Sequence, residues 1–250
     1  MKNLLFALPI LVFLMACGSD DKVENPSLKI NMLHTVDGAK LKMDAMLYAN
    51  DLGEQFSVTK VNYYLSELEL VKANGELVKI DSMWYISLNP QNMEATINLQ
   101  SLPLGDYQQI NFIFGLTDKW NDQSLVPVDQ LQAMIWPENM GGGLHFMKLE
   151  GRFSLPEAEA LNGYNTHMGN LKMGDMDLDH FFKAEVPAAG LSVGQGLTEV
   201  NLEMDLLKWY THGSTHYSLT EFQAIMNKPE KQAILMENGQ NIWSFSIKGE

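Results

Sequence analysis

Apolar and polar residues alternate with a period of two through much of the first half of the chain. The runs 28–34, 42–48 and 56–71 follow this alternation, which is typical of β-strands with one buried face. The longest run has enough residues for one long strand or for two strands with a bend. Asn74-Gly75 then predicts a tight hairpin turn that leads into a strand at 77–80.

Strand patterns continue along the rest of the chain, and helical signals are few. Further strands are predicted at 83–88, 95–99, 107–116, 144–153, 180–186, 200–209 and 241–248. One or two helical turns are predicted at 128–133. Ser218 and Glu221 have the spacing of a capping box that opens a short helix, and Pro229 begins another that runs to about residue 236.

These elements predict an all-β protein. The expected fold is an antiparallel β-sandwich of the immunoglobulin-like kind, with long loops and one or two short C-terminal helices. No repeat and no internal linker divides the sequence, so residues 28–250 are expected to form a single domain.

The N-terminus has the features of a bacterial export signal. Residues 4–16 are almost uninterrupted apolar sequence, which is short for a bilayer span of about 20 residues. The run ends at Leu14-Met15-Ala16-Cys17, which resembles a lipobox, and Cys17 is the sole cysteine. We therefore predict a signal peptide at 1–16, and a lipidated Cys17 with a disordered tether at 17–27. The protein is expected to be an outer-membrane lipoprotein, held by its lipid anchor alone, on the periplasmic or cell-surface side.

The net charge and the absence of known motifs argue against several classes of function. The formal net charge of −14 argues against nucleic acid as a partner, because phosphate binding needs clustered Lys and Arg. The sequence contains no nucleophile elbow, phosphate-binding loop, His-Glu-x-x-His zinc motif or dinucleotide fingerprint. Its carboxylates are plentiful, but no pair stands out from a solvated face. We therefore predict a protein that is not an enzyme.

Candidate metal ligands concentrate in the second half of the chain. Five of the six histidines lie between His145 and His216, and many of the 16 methionines are found there as well. Thioether and imidazole groups together favour Cu(I), which is a soft ion. Methionine also fills irregular cores, so ordinary packing is the alternative for most of these residues.

Two groups of these residues can be placed on predicted elements. Met147 alternates with His145 on a predicted strand, so their side chains are expected on one face. Met168, Met173 and Met176 fall in a loop rich in glycine and aspartate. Core packing explains methionines in such a loop less well. With Asp175, Asp177 and Asp179, the loop could equally be a solvated turn or a casual cation site.

Several segments together resemble a known family. They are YYLSELEL at 63–70 followed by Gly75, LPLGDYQQINFIFGL at 102–116 with Asn121 soon after, MIW at 134–136, GLHFMKLEG at 143–151, and HMG at 167–169. Their order and spacing resemble the MbnP-like family of exported copper-associated proteins, found in methane oxidisers and widely in Bacteroidetes. The chain is similar to the Bacteroidetes-type members.

The resemblance implies a β-sandwich that binds one copper ion, as Cu(I), after a partner di-haem peroxidase oxidises a tryptophan to kynurenine. Trp136 stands where the family has a tryptophan after methionine, so it is the candidate for that oxidation, with a buried core aromatic as the alternative. His167 matches the His-x-Gly of the family and is the leading ligand candidate. His145 stands where the family often has an aromatic residue, and it is a further candidate ligand.

Two functions follow from these observations. The first is a copper-binding lipoprotein for copper acquisition, storage or delivery, with candidate ligands His145, His167, Met140, Met147 and Met168. The alternative is a metal-free cell-surface binding or scaffold lipoprotein of the same fold. Its contact residues would be exposed aromatics such as Trp84, Trp120, Trp209 and Tyr210.

Overall fold

The computed structural model describes residues 25–158 and 160–249, and within them the protein is built mostly from β-strands. The strands are β1 Ser27–Val36, β2 Ala39–Lys40, β3 Tyr48–Ala49, β4 Gln55–Lys72, β5 Leu77–Leu88, β6 Ala95–Gln100, β7 Gly105–Phe114, β8 Met147–Ser154, β9 Leu161–Met168, β10 Leu171–Met173, β11 Met176–Leu178, β12 Phe182–Val193, β13 Leu197–Asp205, β14 Thr211–His212, β15 Thr215–His216 and β16 Trp243–Ile247. The helices are α1 Val128–Met134 and α2 Pro229–Gly239, with 3-10 turns at Gln123–Leu125, Glu138–Met140, Leu206–Tyr210 and Leu219–Phe222.

Two sheets form a β-sandwich, which confirms the predicted fold class. The larger sheet has seven strands in the order β12-β7-β4-β8-β9, with β3 and β5 also paired to β4. The smaller sheet has five strands in the order β16-β13-β1-β2, with β6 also paired to β1. Neighbouring strands are antiparallel except for β1 and β13, which run parallel. The chain between those two strands supplies the whole of the larger sheet before it returns.

Aromatic side chains from both sheets fill the core between them. Tyr63 of β4 stacks on Phe114 of β7 with ring centroids 5.6 Å apart, and Trp243 of β16 meets Phe112 of β7 edge-on at 5.0 Å. His34 of β1 lies in the same core, with its Nε2 2.9 Å from the Tyr63 hydroxyl. Burial lowers the pKa of His34 to about 4, so this ring is neutral at physiological pH.

Strand β4 organises the larger sheet, because β5 pairs along one side while β8 and β7 follow each other along the other. A bulge at Glu67, with φ of 51°, interrupts but does not end the strand. The strands β8 and β7 meet at Tyr64. Its N–H donates to the carbonyl of Phe146 (3.0 Å), and its own carbonyl accepts from the N–H of Gly115 (2.9 Å). The chain between Gly115 and Phe146 leaves the sheet at this junction and includes α1.

The predicted strand at 42–48 is wrong. Strands β2 and β3 each have two residues, and the chain turns between them with Asp44 at a φ of 61°. The Lys42 N–H is bound by the Tyr48 hydroxyl (2.6 Å). The alternation in this segment therefore does not indicate a pairing strand, because it makes a local turn and only a single backbone hydrogen bond to β4, from the Asp44 N–H to the Val58 carbonyl (2.9 Å).

Strand β9 was not predicted from the sequence. Its buried side chains are Tyr164, Thr166 and Met168, and it also contains Gly163. A threonine and a glycine weaken the apolar alternation that marks a strand. Thr166 is fully buried because its hydroxyl has partners there, the Tyr210 hydroxyl (2.9 Å) and the Phe222 carbonyl (3.3 Å).

The predicted strand at 200–209 spans two elements. Strand β13 ends at Asp205, whose carboxylate accepts the N–H of Leu207 (3.1 Å) and begins a 3-10 turn. The turn buries Trp209 and Tyr210, so the expectation that these two aromatics are exposed is wrong. The capping box at Ser218 is confirmed, but it opens a 3-10 turn, and α2 begins at Pro229 as predicted.

The predicted signal peptide, Cys17 and most of the predicted tether lie outside the described residues. In the part of the chain that is described, none of the helices has the length and apolar character to cross a membrane.

Candidate metal centre

Backbone hydrogen bonds after α1 hold Trp136 and His145 side by side. The Trp136 N–H donates to the carbonyl of Gly143 (2.9 Å), and the His145 N–H donates to the carbonyl of Met134 (2.6 Å). The indole and imidazole rings meet edge to face, with centroids 4.7 Å apart at 76°. Trp136 is fully buried and His145 is 4% exposed. Two of the predicted site residues are therefore in direct contact and buried.

His167 reaches the same place from β9. It lies opposite Lys148 in the register of β8 and β9, and opposite residues share one face of a sheet. The Lys148 ammonium donates to the carbonyl of Ala133 in the last turn of α1 (2.5 Å), so the C-terminal end of α1 lies on this side of the sheet. The His167 ring stands perpendicular to the His145 ring, with centroids 5.0 Å apart at 89°. The two histidine rings and Trp136 thus form one row near the C-terminal end of α1.

The hydrogen bonds of the two histidines define which ring nitrogen carries a lone pair. His145 Nδ1 lies 3.1 Å from the carbonyl of Met134. A carbonyl only accepts, so Nδ1 carries the proton and Nε2 the lone pair. His167 Nε2 lies 3.0 Å from the Glu150 carboxylate, which places the lone pair of its neutral ring on Nδ1. His145 Nε2 is buried and has no hydrogen-bond partner among the described residues.

Electrostatics keep His145 neutral and Glu150 charged. Burial, followed by the positive charge of Lys148, lowers the pKa of His145 to about 3. The hydrogen bond from His167 and the ion pair with Lys60 (2.9 Å) lower the pKa of Glu150 to about 2. Near neutral pH, His145 therefore offers a lone pair without first losing a proton. Glu150 is at the same pH a carboxylate that orients His167, an arrangement typical of metal-binding histidines.

The indole of Trp136 is enclosed on two further sides. Its Nε1 donates to the carbonyl of Met140 (3.3 Å), which is half-buried in the 3-10 turn Glu138–Met140. The backbone of Gly169, the residue after β9, lies in close contact with the ring. A Cβ built on Gly169 would lie 2.7 Å from Cε3 of Trp136. The position after His167-Met168 therefore accepts no side chain while Trp136 stays in place.

Gly169→Ala is expected to destabilise the protein by about 1–3 kcal/mol, because the new methyl overlaps a buried ring that has no room to move. Urea denaturation measures this change. Gly163→Ala is the matched control in β9, since its Cβ would meet its nearest neighbour at 3.9 Å. Equal stability of the two variants would show that the Trp136 side chain can shift freely.

The predicted ligands Met147 and Met168 do not lie with the histidine rings. Met147 and Met168 lie directly opposite each other on β8 and β9, and both are buried in the hydrophobic core. They share the face opposite to Lys148 and His167. The prediction that His145 and Met147 share a face is wrong, because the chain bends at Phe146 before β8 begins. The ring of His145 consequently lies against His167.

Glu150 and Lys148 are the parts of this site that sequence reasoning missed. The period of two from Lys148 to Glu150 places both on one face of β8, and that signal was present in the sequence. Within residues 25–158 and 160–249, no group of three or more His, Cys, Asp or Glu side chains has an arrangement that could hold a metal ion. The arrangement that is found combines two imidazoles, one carboxylate hydrogen-bonded to His167, and an indole.

Comparisons with known proteins agree with this fold. The family model described as MbnP matches residues 25–227. Among solved structures, MbnP from Methylosinus trichosporium is similar with a TM-score of 0.53 and 15% sequence identity, over 79% of this chain and 84% of that one. No curated protein matches the sequence.

Proposed function

Since this chain belongs to the MbnP family, we propose that it binds one copper ion, as Cu(I), between His145 and His167. The observation that carries the proposal is the pair of imidazoles with centroids 5.0 Å apart, each left with one lone pair. Metal–nitrogen bonds of about 2 Å would put each ring centroid about 3 Å from a shared ion. The centroid separation of 5.0 Å is thus within the range that two imidazoles sharing one ion would have.

The choice of Cu(I) rests on the number and kind of donors. Calcium takes six to eight oxygen ligands and structural zinc takes four ligands. The described residues offer no cluster of three or more His, Cys, Asp or Glu side chains. Imidazole suits copper, and a soft monovalent ion accepts few ligands. The positive charge of Lys148, close enough to lower the pKa of His145, would disfavour a divalent ion more than a monovalent one.

Trp136 is the residue that would complete the site. Its ring contacts the ring of His145, and it is fully buried. The family resemblance implies that a di-haem peroxidase supplies the oxidising equivalents that open the indole to kynurenine. The ketone oxygen and aromatic amine of kynurenine would add donors beside the two histidines. Co-expression with such a peroxidase and mass spectrometry of the peptide containing Trp136 test this step.

The role that fits such a site is copper acquisition, storage or delivery, and we propose no catalytic activity. His145 is only 4% exposed, so the site would hold its ion away from solvent. A lipid on Cys17 would retain the protein at the outer membrane, facing the periplasm or the cell surface. Radiolabelled palmitate incorporation, compared with a Cys17→Ser variant, tests the anchor.

Titration of the purified full chain in mild detergent with Cu(I), against a competing chelator, tests the function. We expect one equivalent of Cu(I) to be taken from the chelator, and His167→Ala to lose most of that affinity. The titration is repeated on protein co-expressed with the peroxidase. If neither preparation competes for Cu(I), the metal-free binding or scaffold function replaces the copper proposal.

Replacing Met147 and Met168 together with Leu is expected to leave the Cu(I) affinity unchanged within about twofold. Their side chains share the core face of β8 and β9, away from His167. Leu has nearly the same volume, so the free energy of unfolding should change by less than about 1.5 kcal/mol for each substitution. The chelator competition assay measures the affinity. A loss of affinity above about tenfold would instead make a thioether part of the site.

A further inference from the structure

A hairpin beside the site carries two methionines that core packing does not explain. Met173 and Met176 lie directly opposite each other on β10 and β11, so their side chains share one face of the hairpin. Met173 is 39% exposed, more than any other methionine that the structure describes. An exposed methionine gains little from burial, so Met173 needs another explanation, and the half-buried Met176 is its direct neighbour across the hairpin.

The hairpin begins where the candidate site ends. After β9 ends at Met168, the chain continues through Gly169, whose backbone lies against Trp136, and Asn170 into β10. The carbonyl of Gly169 is 2.8 Å from Nδ1 of His180. The buried Asn170 accepts the His180 N–H (2.9 Å) through its side-chain oxygen. These bonds close the base of the hairpin and hold it at a defined position relative to the rings.

A second connection joins the hairpin to the chain around Trp136. A Cβ on Gly141 would lie 2.8 Å from the Cβ of Lys172, so the turn that contains Met140 runs beside β10. The carbonyl of Met140 accepts the indole N–H of Trp136. Lys172 pairs with Asp177 (3.3 Å) on the other face of the hairpin, which leaves the methionine face free of charged side chains from these two strands.

Thioethers suit the transient capture of Cu(I). They are never protonated in water, they prefer soft ions, and two of them on one hairpin face can reach a single ion. The surrounding loop carries Asp175, Asp177 and Asp179, all exposed, which attract cations to this part of the surface. His145 has no comparable contact with solvent, since it is only 4% exposed.

We propose that Met173 and Met176 form a surface site that captures Cu(I) and passes it to His145 and His167. The inference deepens the proposed function and rests on it for the second step only. Capture by the hairpin and binding by the histidines are separate events, so each has its own experiment.

The capture site is tested with Ag(I), a redox-inert substitute for Cu(I), on the full chain labelled at its methionine methyl groups. The protein carries His145→Asn and His167→Gln, so that the buried site does not compete. We expect the methyl resonances of Met173 and Met176, assigned with Leu variants, to shift before those of other methionines. Their failure to shift first would overturn the capture site.

The transfer is tested by stopped-flow mixing of Cu(I), held by a weak chelator, with the full chain. The double variant Met173→Leu and Met176→Leu is expected to slow copper uptake by about tenfold, with the final affinity unchanged within about twofold. The control is Met46→Leu with Met226→Leu, two partly exposed methionines outside the hairpin. An unchanged uptake rate in the hairpin variant would overturn the transfer. If wild-type protein takes up no Cu(I), the proposed function fails, and the Ag(I) shifts still decide the capture site.

Discussion

His145→Asn and His167→Gln are each expected to lower the affinity for Cu(I) by at least about a hundredfold, which is about 2.8 kcal/mol. Asn places its amide near the position of Nδ1, so it can still donate to the carbonyl of Met134 while the Nε2 lone pair is lost. Gln places its amide near Nε2 of His167, so it can still donate to Glu150 while the Nδ1 lone pair is lost. Each variant therefore removes one donor and keeps its structural hydrogen bond.

Chelator competition on the full chain measures both variants against wild type. His212→Asn on the exposed strand β14 is the matched control and should bind Cu(I) as wild type does. Glu150→Gln should lower the affinity by about 10–100-fold, as is typical when a carboxylate that orients a metal-binding histidine is removed. Wild-type affinity in either histidine variant would mean that the copper site lies elsewhere in the protein.

Acidification is expected to destabilise the metal-free protein strongly between pH 6.5 and 4. His145 and His34 have folded-state pKa values of about 3 and about 4, against an ordinary value of 6.5. Below pH 6.5 the unfolded chain takes up protons at these rings and the folded chain does not. Their contribution is therefore fully present above pH 6.5 and is lost as the pH falls. At pH 4, each ring is expected to have lowered the free energy of unfolding by about 3 kcal/mol relative to its value above pH 6.5.

The pKa of Glu150 is lowered from its ordinary value of 4.5 to about 2. The stability that this carboxylate contributes is therefore lost as the pH falls from 4.5 to about 2, which adds to the loss from the histidines. A domain is stabilised by about 5–15 kcal/mol in total, so the two histidines are expected to bring the protein close to unfolding near pH 4. Urea denaturation at pH 7, 5.5 and 4.5 measures how steeply the free energy of unfolding falls with pH. His145→Asn and His34→Gln should each make this fall less steep, while His212→Asn should not. A free energy of unfolding that is constant over this range would show that neither ring stays buried and neutral.

Local patterns in the sequence were sufficient for the fold class, whereas the candidate site residues came from the family resemblance. The alternation at 56–71 predicts β4, and the Pro229 signal predicts α2, because a period of two or a helix start depends on neighbouring residues only. The segments 134–136, 143–151 and 167–169 supplied the family resemblance and three residues of the observed row. The strand predictions failed where the apolar alternation did not match the observed strand pairing. At 42–48 the alternation is present without a strand, and in β9 around Thr166 the strand is present without a clear alternation.

The sequence by itself determined a mostly β protein of the MbnP-like type, with Trp136, His145 and His167 as candidates. Only the tertiary structure decided which side chains meet. The register of β8 against β9 and the bend at Phe146 place His145 against His167 and leave Met147 in the core. That register depends on packing between strands distant in sequence, where a shift of one residue would exchange the two faces. The partner of His167, Glu150, follows from the same register, so its role became visible only once the sheet was assembled.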